Sequence, residues 1–197
     1  GTGQPVPLFP FWEHLQVTTL MTSLKDRLPV TIRTERLVMA TPTLADAPAM
    51  AALANNRDVH RWMARLPYPY GLADAEHFIQ NIVPSPDEYC LSLHTDDSFI
   101  GVIGLHFAPG RVPDLGYWLG EPYWGKGYGT EAAIAIVEAC RAAGATAIRA
   151  RALRDNEASR KVLRKAGFIE NGDIIDERIH HPDGAVMVLA YQELRQR

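Results

Sequence analysis

Residues 115–130 constrain this chain most. Leu115-Gly116-Tyr117-Trp118-Leu119 has the apolar character of a strand, and an alanine-rich stretch from Thr130 onward has that of a helix. Between them runs Tyr123-Trp124-Gly125-Lys126-Gly127-Tyr128-Gly129, with glycine at every second position from 125 to 129. Strand, glycine loop and helix in that order turn bare backbone N–H groups toward an anion at the helix N-terminus. Glycine permits left-handed backbone there and lets a ligand reach the main chain. Lys126 adds a positive charge beside the loop. Nucleotide loops of this type do not match. A Walker loop requires Ser or Thr where Gly127 stands, and the dinucleotide fingerprint requires glycine where Thr130 stands. For the segment taken alone, a plain glycine-rich turn is the alternative.

A second segment, 156–168, reads as a short capped helix. Asp155 or Asn156 can accept from its first amides. Ala158, Val162 and Ala166 recur at helical spacing with basic residues opposite, Gly167 suits the C′ position, and Phe168 opens the next strand. A strand over 147–152 separates the two segments.

The rest alternates in type. Strands are expected over 30–33, 36–40, 88–94, 99–107, 168–169, 174–179 and 186–191, and helices over 44–54, 58–63, 72–81 and 130–143. Pro67-Tyr68-Pro69-Tyr70-Gly71 is a rigid aromatic loop and His181-Pro182-Asp183-Gly184 a hairpin turn. Residues 1–29 are read as an N-terminal extension, either loosely ordered or docked on a partner, and 30–197 as one domain. The extension lacks the basic and apolar regions of a signal peptide.

Composition narrows the function. Lys and Arg number 20 against 23 Asp and Glu, so no broad field favours nucleic acid or a membrane surface. Cys90 and Cys140 read as buried thiols of a cytoplasmic protein, and no apolar run reaches the length of a membrane span. His180 and His181 are adjacent on a strand and point to opposite faces, so no metal is expected there.

The two segments resemble the GNAT acetyltransferases, whose pyrophosphate loop reads Gln/Arg-x-x-Gly-x-Gly/Ala. Residues 124–129 fit, with Trp124 where Gln or Arg is usual. Asn156-Glu157-Ala158-Ser159, followed by Gly167-Phe168, is similar to the family's second motif, and Thr34-Glu35-Arg36-Leu37 resembles the opening of its RimJ/RimL branch. The resemblance spans about residues 34–191. It implies a mixed α/β (α+β) single domain: a mostly antiparallel central sheet with splayed central strands and helices on both faces. The 115–119 strand should carry a bulge and part from the 147–152 strand, with the acyl-CoA arm in the gap.

The implied reaction is acetyl-CoA-dependent N-acetylation of a primary amine, with acetyl-CoA as co-substrate. Amides of Gly125, Lys126, Gly127, Tyr128, Gly129 and Thr130 would hold the pyrophosphate. Unpaired N–H groups of Tyr117, Trp118 and Leu119 would meet the developing oxyanion. Asn156 would hold the pantetheine amide. Many family members carry a tyrosine acid seven residues after that asparagine, where this chain has Leu163, so Ser159 is the expected donor to the leaving thiolate. For the base, Glu177 ranks before Asp114 and His106, with a water route as the alternative. Trp62, Arg65, Tyr68 and Tyr70 would line the acceptor pocket, with core or dimer contacts as the equal alternative. The RimJ/RimL resemblance points to a protein N-terminal α-amine of ribosomal-protein type, in a monomer or homodimer. The alternatives are a small-amine acetyltransferase, a non-catalytic acyl-CoA-binding module and a nucleotide-binding protein.

Overall fold

The computed structural model describes residues 23–63, 65–96, 98–176 and 185–194. Glu177, His180, His181, the expected hairpin turn and the aromatic residues before 23 lie outside the described residues. Eight strands form one sheet: β1 (Thr31–Arg33), β2 (Val38–Ala40), β3 (Glu88–His94), β4 (Phe99–His106), β5 (Asp114–Leu119), β6 (Ala147–Leu153), β7 (Ile169–Asp176) and β8 (Ala185–Glu193). Their order is β1-β2-β3-β4-β5-β6-β8-β7. Every neighbouring pair is antiparallel except β5 and β6.

That exception places the site. β5 keeps a continuous ladder with β4 from Asp114↔His106 to Leu119↔Gly101. With β6 it shares only Asp114↔Arg149 and Leu115↔Ala150, so the two strands part beyond Leu115. The expected splay is present. The expected bulge is not: the unshifted register with β4 shows that β5 stays regular on that edge and the divergence lies wholly at the β6 seam.

Helices α1 (Leu24–Arg27), α2 (Ala47–Ala54), α3 (Arg57–His60), α4 (Leu72–His77), α5 (Tyr128–Ala142) and α6 (Glu157–Lys165) complete the described fold. In α5, Ala132, Ala133, Ile136, Val137 and Cys140 form a buried stripe at helical spacing. It packs on Leu91, Ile103, Leu115 and Ile148 from one sheet face. α2 and α4 bury Met50, Ala54 and Ala75 against Cys90 and Val102 on the other. Period-two alternation explains the division: Leu115 and Leu119 face α5, whereas Trp118 packs with the opposite core.

Three elements differ from expectation. The helix read over 72–81 is α4 followed by a π-turn, Phe78–Ile82; such a turn re-aims side chains, and Phe78 and Ile82 line the cleft described below. The helix read over 44–54 opens as a 3-10 turn, Leu44–Asp46. The break read between 169 and 174 is a register shift inside one strand, with Gly172 at φ 85°.

Candidate active site

The glycine loop does what its sequence demands. Gly125 and Gly127 adopt φ of 72° and 85°, a region that side chains disfavour. The first bond of α5 runs from the Glu131 N–H to the Gly127 carbonyl, so the amides before it have no acceptor within the helix. Trp124 donates its indole N–H to the Leu119 carbonyl at 2.7 Å, fastening the loop to the end of β5. Lys126 lies beside the Tyr123 ring, 5.7 Å from its centroid. Arg36, in the turn after β1, donates to the Lys126 carbonyl at 2.9 Å and pairs with Glu131 at 2.7 Å.

The strand alternation sorts the oxyanion donors. Gly120 N–H donates to the Ile100 carbonyl, so even-numbered residues of β5 direct their backbone polar groups to β4. Tyr117 and Leu119 therefore turn theirs into the splay, and the Trp124 bond to Leu119 confirms that direction. The Trp118 amide faces β4 instead, and its indole ring packs on Phe99 with centroids 6.0 Å apart.

Across the gap stands the start of α6. Asn156 Oδ1 accepts from the Ser159 N–H at 3.0 Å as the N-cap, a use that leaves its two Nδ2 hydrogens uncommitted to the cap. Ser159 Oγ accepts from the Tyr117 hydroxyl at 3.2 Å. Burial raises the Tyr117 pKa, only partly offset by the Ser159 contact, so the phenol keeps its proton. Leu163 is buried in the core. Gly167 at φ 95° closes α6, with Phe168 N–H donating to the Leu163 carbonyl.

On the α2–α4 face, the register builds a polar row: Glu88, His106, Asp114 and Arg149 are successive Cα partners across β3 to β6. His106 Nδ1 lies 2.8 Å from Glu88 Oε1. Asp114 Oδ2 meets Arg149 at 3.1 Å and Arg151 at 2.9 Å. The next row holds Cys90, Gly104 and Gly116, and a Cβ on Gly116 would meet nothing within 4 Å, so the floor there is bare. Burial pushes the Cys90 thiol up to about 12, which removes it as a nucleophile.

Loop, splay, α6 and Glu88, His106 and Asp114 of the polar row line one continuous cleft of about 1120 Å³. Trp62, Arg65 and Tyr70 reach it from the helical side. Tyr70 is core as well, its hydroxyl 3.8 Å from Met50 Sδ and its pKa raised to about 12 by burial and then by Asp74. Tyr68 is not in the lining; it is exposed and packs on His60 at 5.3 Å. The Glu88 partner of His106 and the Arg36 clasp escaped the sequence reading. Register revealed the first, and Thr34-Glu35-Arg36-Leu37 was the available signal for the second. Among the described residues no group of three or more His, Cys, Asp and Glu is placed to hold a metal, and no helix is long and apolar enough to cross a membrane.

A family model described as an acetyltransferase (GNAT) domain matches residues 36–169. The uncharacterized N-acetyltransferase YoaA of Bacillus subtilis is 28% identical over 155 residues, covering 72% of this chain and 84% of its own. Among solved structures, the microcin C7 self-immunity acetyltransferase MccE, in complex with acetyl-CoA and AMP, aligns with a TM-score of 0.75 at 19% identity, over 85% of this chain and 98% of that one. The ribosomal L7/L12 α-N-protein acetyltransferase RimL, in complex with CoA, aligns with a TM-score of 0.75 at 17% identity, over 86% and 99%. At those identities the likeness is one of fold.

Proposed function

This chain belongs to the GNAT acetyltransferase family, and from that premise we propose that it moves the acetyl group of acetyl-CoA to a primary amine, the α-amine of a protein N-terminus. One observation carries the reading: the glycine loop at the start of α5 opens into the β5–β6 splay, and His106, held by Glu88, lies on the floor of the same cleft. The acetyl-CoA in the MccE complex and the CoA in the RimL complex support the co-substrate. The α-N-protein substrate named for RimL supports the acceptor.

The reaction divides as follows. Amides of residues 125–130 and the α5 dipole bind the pyrophosphate, with Lys126 adding charge. The N–H groups of Tyr117 and Leu119 receive the oxyanion as the amine nitrogen attacks the thioester carbon. With its Nδ1 on Glu88, the His106 imidazole keeps Nε2 to take the proton of the attacking amine. The C–S bond then breaks, sulfur keeps the electron pair, and the Ser159 hydroxyl donates to the thiolate. Asn156 Nδ2 serves the pantetheine amide. We assign Asp114, whose Oδ2 holds Arg149 and Arg151, to the floor rather than to base catalysis. Glu177, ranked first as the base from the sequence, lies outside the described residues and remains the alternative to His106 in that role.

Three carboxylates of the cleft already have partners. Glu88 faces His106 and, at 3.9 Å, Arg65; Asp114 faces two guanidiniums; Asp74 Oδ2 accepts from the Gly71 N–H at 2.8 Å. A polyamine or aminoglycoside would have to displace those partners, whereas a single amine on a peptide would not. Thiol release from acetyl-CoA should therefore be stimulated by peptides with free N-termini and not by the same peptides N-terminally blocked. Stimulation by spermidine or an amino sugar alone would move the acceptor to the small amines. Acetyl-CoA binding without turnover on any amine would identify a non-catalytic module.

A further inference from the structure

Besides the Trp124 bond to β5, the anion loop is held from outside by the turn between β1 and β2. Arg36 leaves that turn with every polar end engaged on α5 or the loop. Its Nη1 donates to the Lys126 carbonyl at 2.9 Å, its Nε to Glu131 Oε2 at 2.7 Å, and its backbone N–H to Glu131 Oε1 at 2.9 Å. Thr34 Oγ1 donates to the same Oε1 at 2.6 Å. The guanidinium carbon stands 4.7 Å from the Tyr128 ring centroid, and a Cβ on Gly127 would sit 3.3 Å from Nη2.

We propose that Arg36 is the positioning residue of the pyrophosphate loop, acting by pinning the Lys126 carbonyl. The peptide joining Lys126 to Gly127 is planar and trans, so its C=O and N–H point in opposite directions. Fixing that carbonyl on Arg36 turns the Gly127 N–H away from the guanidinium, toward the side on which the cleft opens. Glycine at 127 serves this twice: it takes the φ of 85° and leaves the space that Nη2 fills. The pair with Glu131 serves only to anchor the guanidinium on α5, so that it can hold the Lys126 carbonyl. Arg36 touches no reacting atom in this account; it sets the direction of donors that do bind.

The inference rests on the proposed acetyl-CoA site, and binding separates the two. Calorimetric titration with acetyl-CoA and dephospho-CoA, on wild type, Arg36→Met, Arg36→Lys and Arg36→Met/Glu131→Gln, tests it, with melting curves as the folding control. Arg36→Met should weaken both ligands by about tenfold, and Arg36→Lys should recover part of that loss. The double variant should stay as weak as Arg36→Met. Recovery in the double variant would assign the loss to Glu131 charge and overturn the pinning. Loss confined to acetyl-CoA would mean a direct contact to the 3′-phosphate or the acetyl group, the two features that dephospho-CoA lacks, and overturn it equally. Wild-type affinity in a folded Arg36→Met would remove Arg36 from the site, and a wild type that binds neither ligand would sink the acetyl-CoA reading itself.

Discussion

Tyr117 and Ser159 meet at 3.2 Å from two different elements, and their contact bears on how the leaving group is handled. A serine hydroxyl cannot give up its proton outright, because an alkoxide would be a stronger base than the thiolate it serves. Burial keeps the Tyr117 phenol protonated, so Tyr117 donates to Ser159 and polarises the hydroxyl that donates to sulfur. The chain stabilises the thiolate without a completed transfer. Ser159→Ala should lower kcat by about 10- to 100-fold with little change in KM for acetyl-CoA. Tyr117→Phe should lower kcat by less, and only while Ser159 is present, since its action passes through that hydroxyl. Steady-state kinetics of both variants and their double check this, and a Ser159→Ala rate equal to wild type would take the pair out of the mechanism. Half of this pair was legible in the sequence. Ser159 stood in a recognisable motif, but Tyr117 was readable only as a backbone donor, because its hydroxyl finds Ser159 across a gap that no local pattern encodes.

At the scale of elements, segments with their own punctuation were read correctly and segments shaped by neighbours were not. The α6 end followed from Gly167, whose positive φ only glycine adopts freely, whereas α5, read from Thr130, starts two residues earlier at Tyr128 after Gly127. The π-turn after α4 left no such mark, since Phe78-Ile79-Gln80-Asn81-Ile82 reads as continued helix. The clasp between the β1–β2 turn and α5 is long-range, joining Thr34 and Arg36 to Glu131. It carries a pH signature. Burial works to raise the Glu131 pKa, but hydrogen bonds from Thr34 and Arg36 outweigh it and hold the carboxyl below its ordinary 4.5. A depressed folded value means stability that is present above the unfolded pKa and lost as pH falls through the folded one. The difference in urea midpoint between wild type and Glu131→Gln should therefore be constant above about pH 5 and shrink below about pH 4. A difference that grows on acidification would contradict the clasp.

The whole molecule is two half-sheets joined at a weak seam. β1 to β5 form one half and β6, β8 and β7 the other; only two Cα pairs and the Arg149 N–H bond to the Pro113 carbonyl join β5 to β6 along the backbone. The family resemblance foretold that the strands part, but not what keeps the halves together where they touch. Arg149 and Arg151 close on Asp114 from the far side of the seam, and Asp114 is only 6% exposed. Removing the carboxylate takes the counter-charge from the poorly hydrated Arg149 guanidinium and one partner from Arg151, which costs about 3 kcal/mol or more. Asp114→Ala should lower the unfolding free energy by that order in urea titration. Asp114→Asn should also be destabilised, because it keeps the shape and loses the charge. Were Asp114 the catalytic base, Asp114→Asn would lose turnover even at temperatures where it is fully folded, beyond what its lowered midpoint accounts for. Acetyl-CoA lying in the splay would touch both halves, so saturating ligand should return part of the lost midpoint in Asp114→Asn. A variant that ligand cannot restabilise, in a protein whose wild type binds, would have lost the site itself, and an intact seam would then be a requirement of binding and not only of stability.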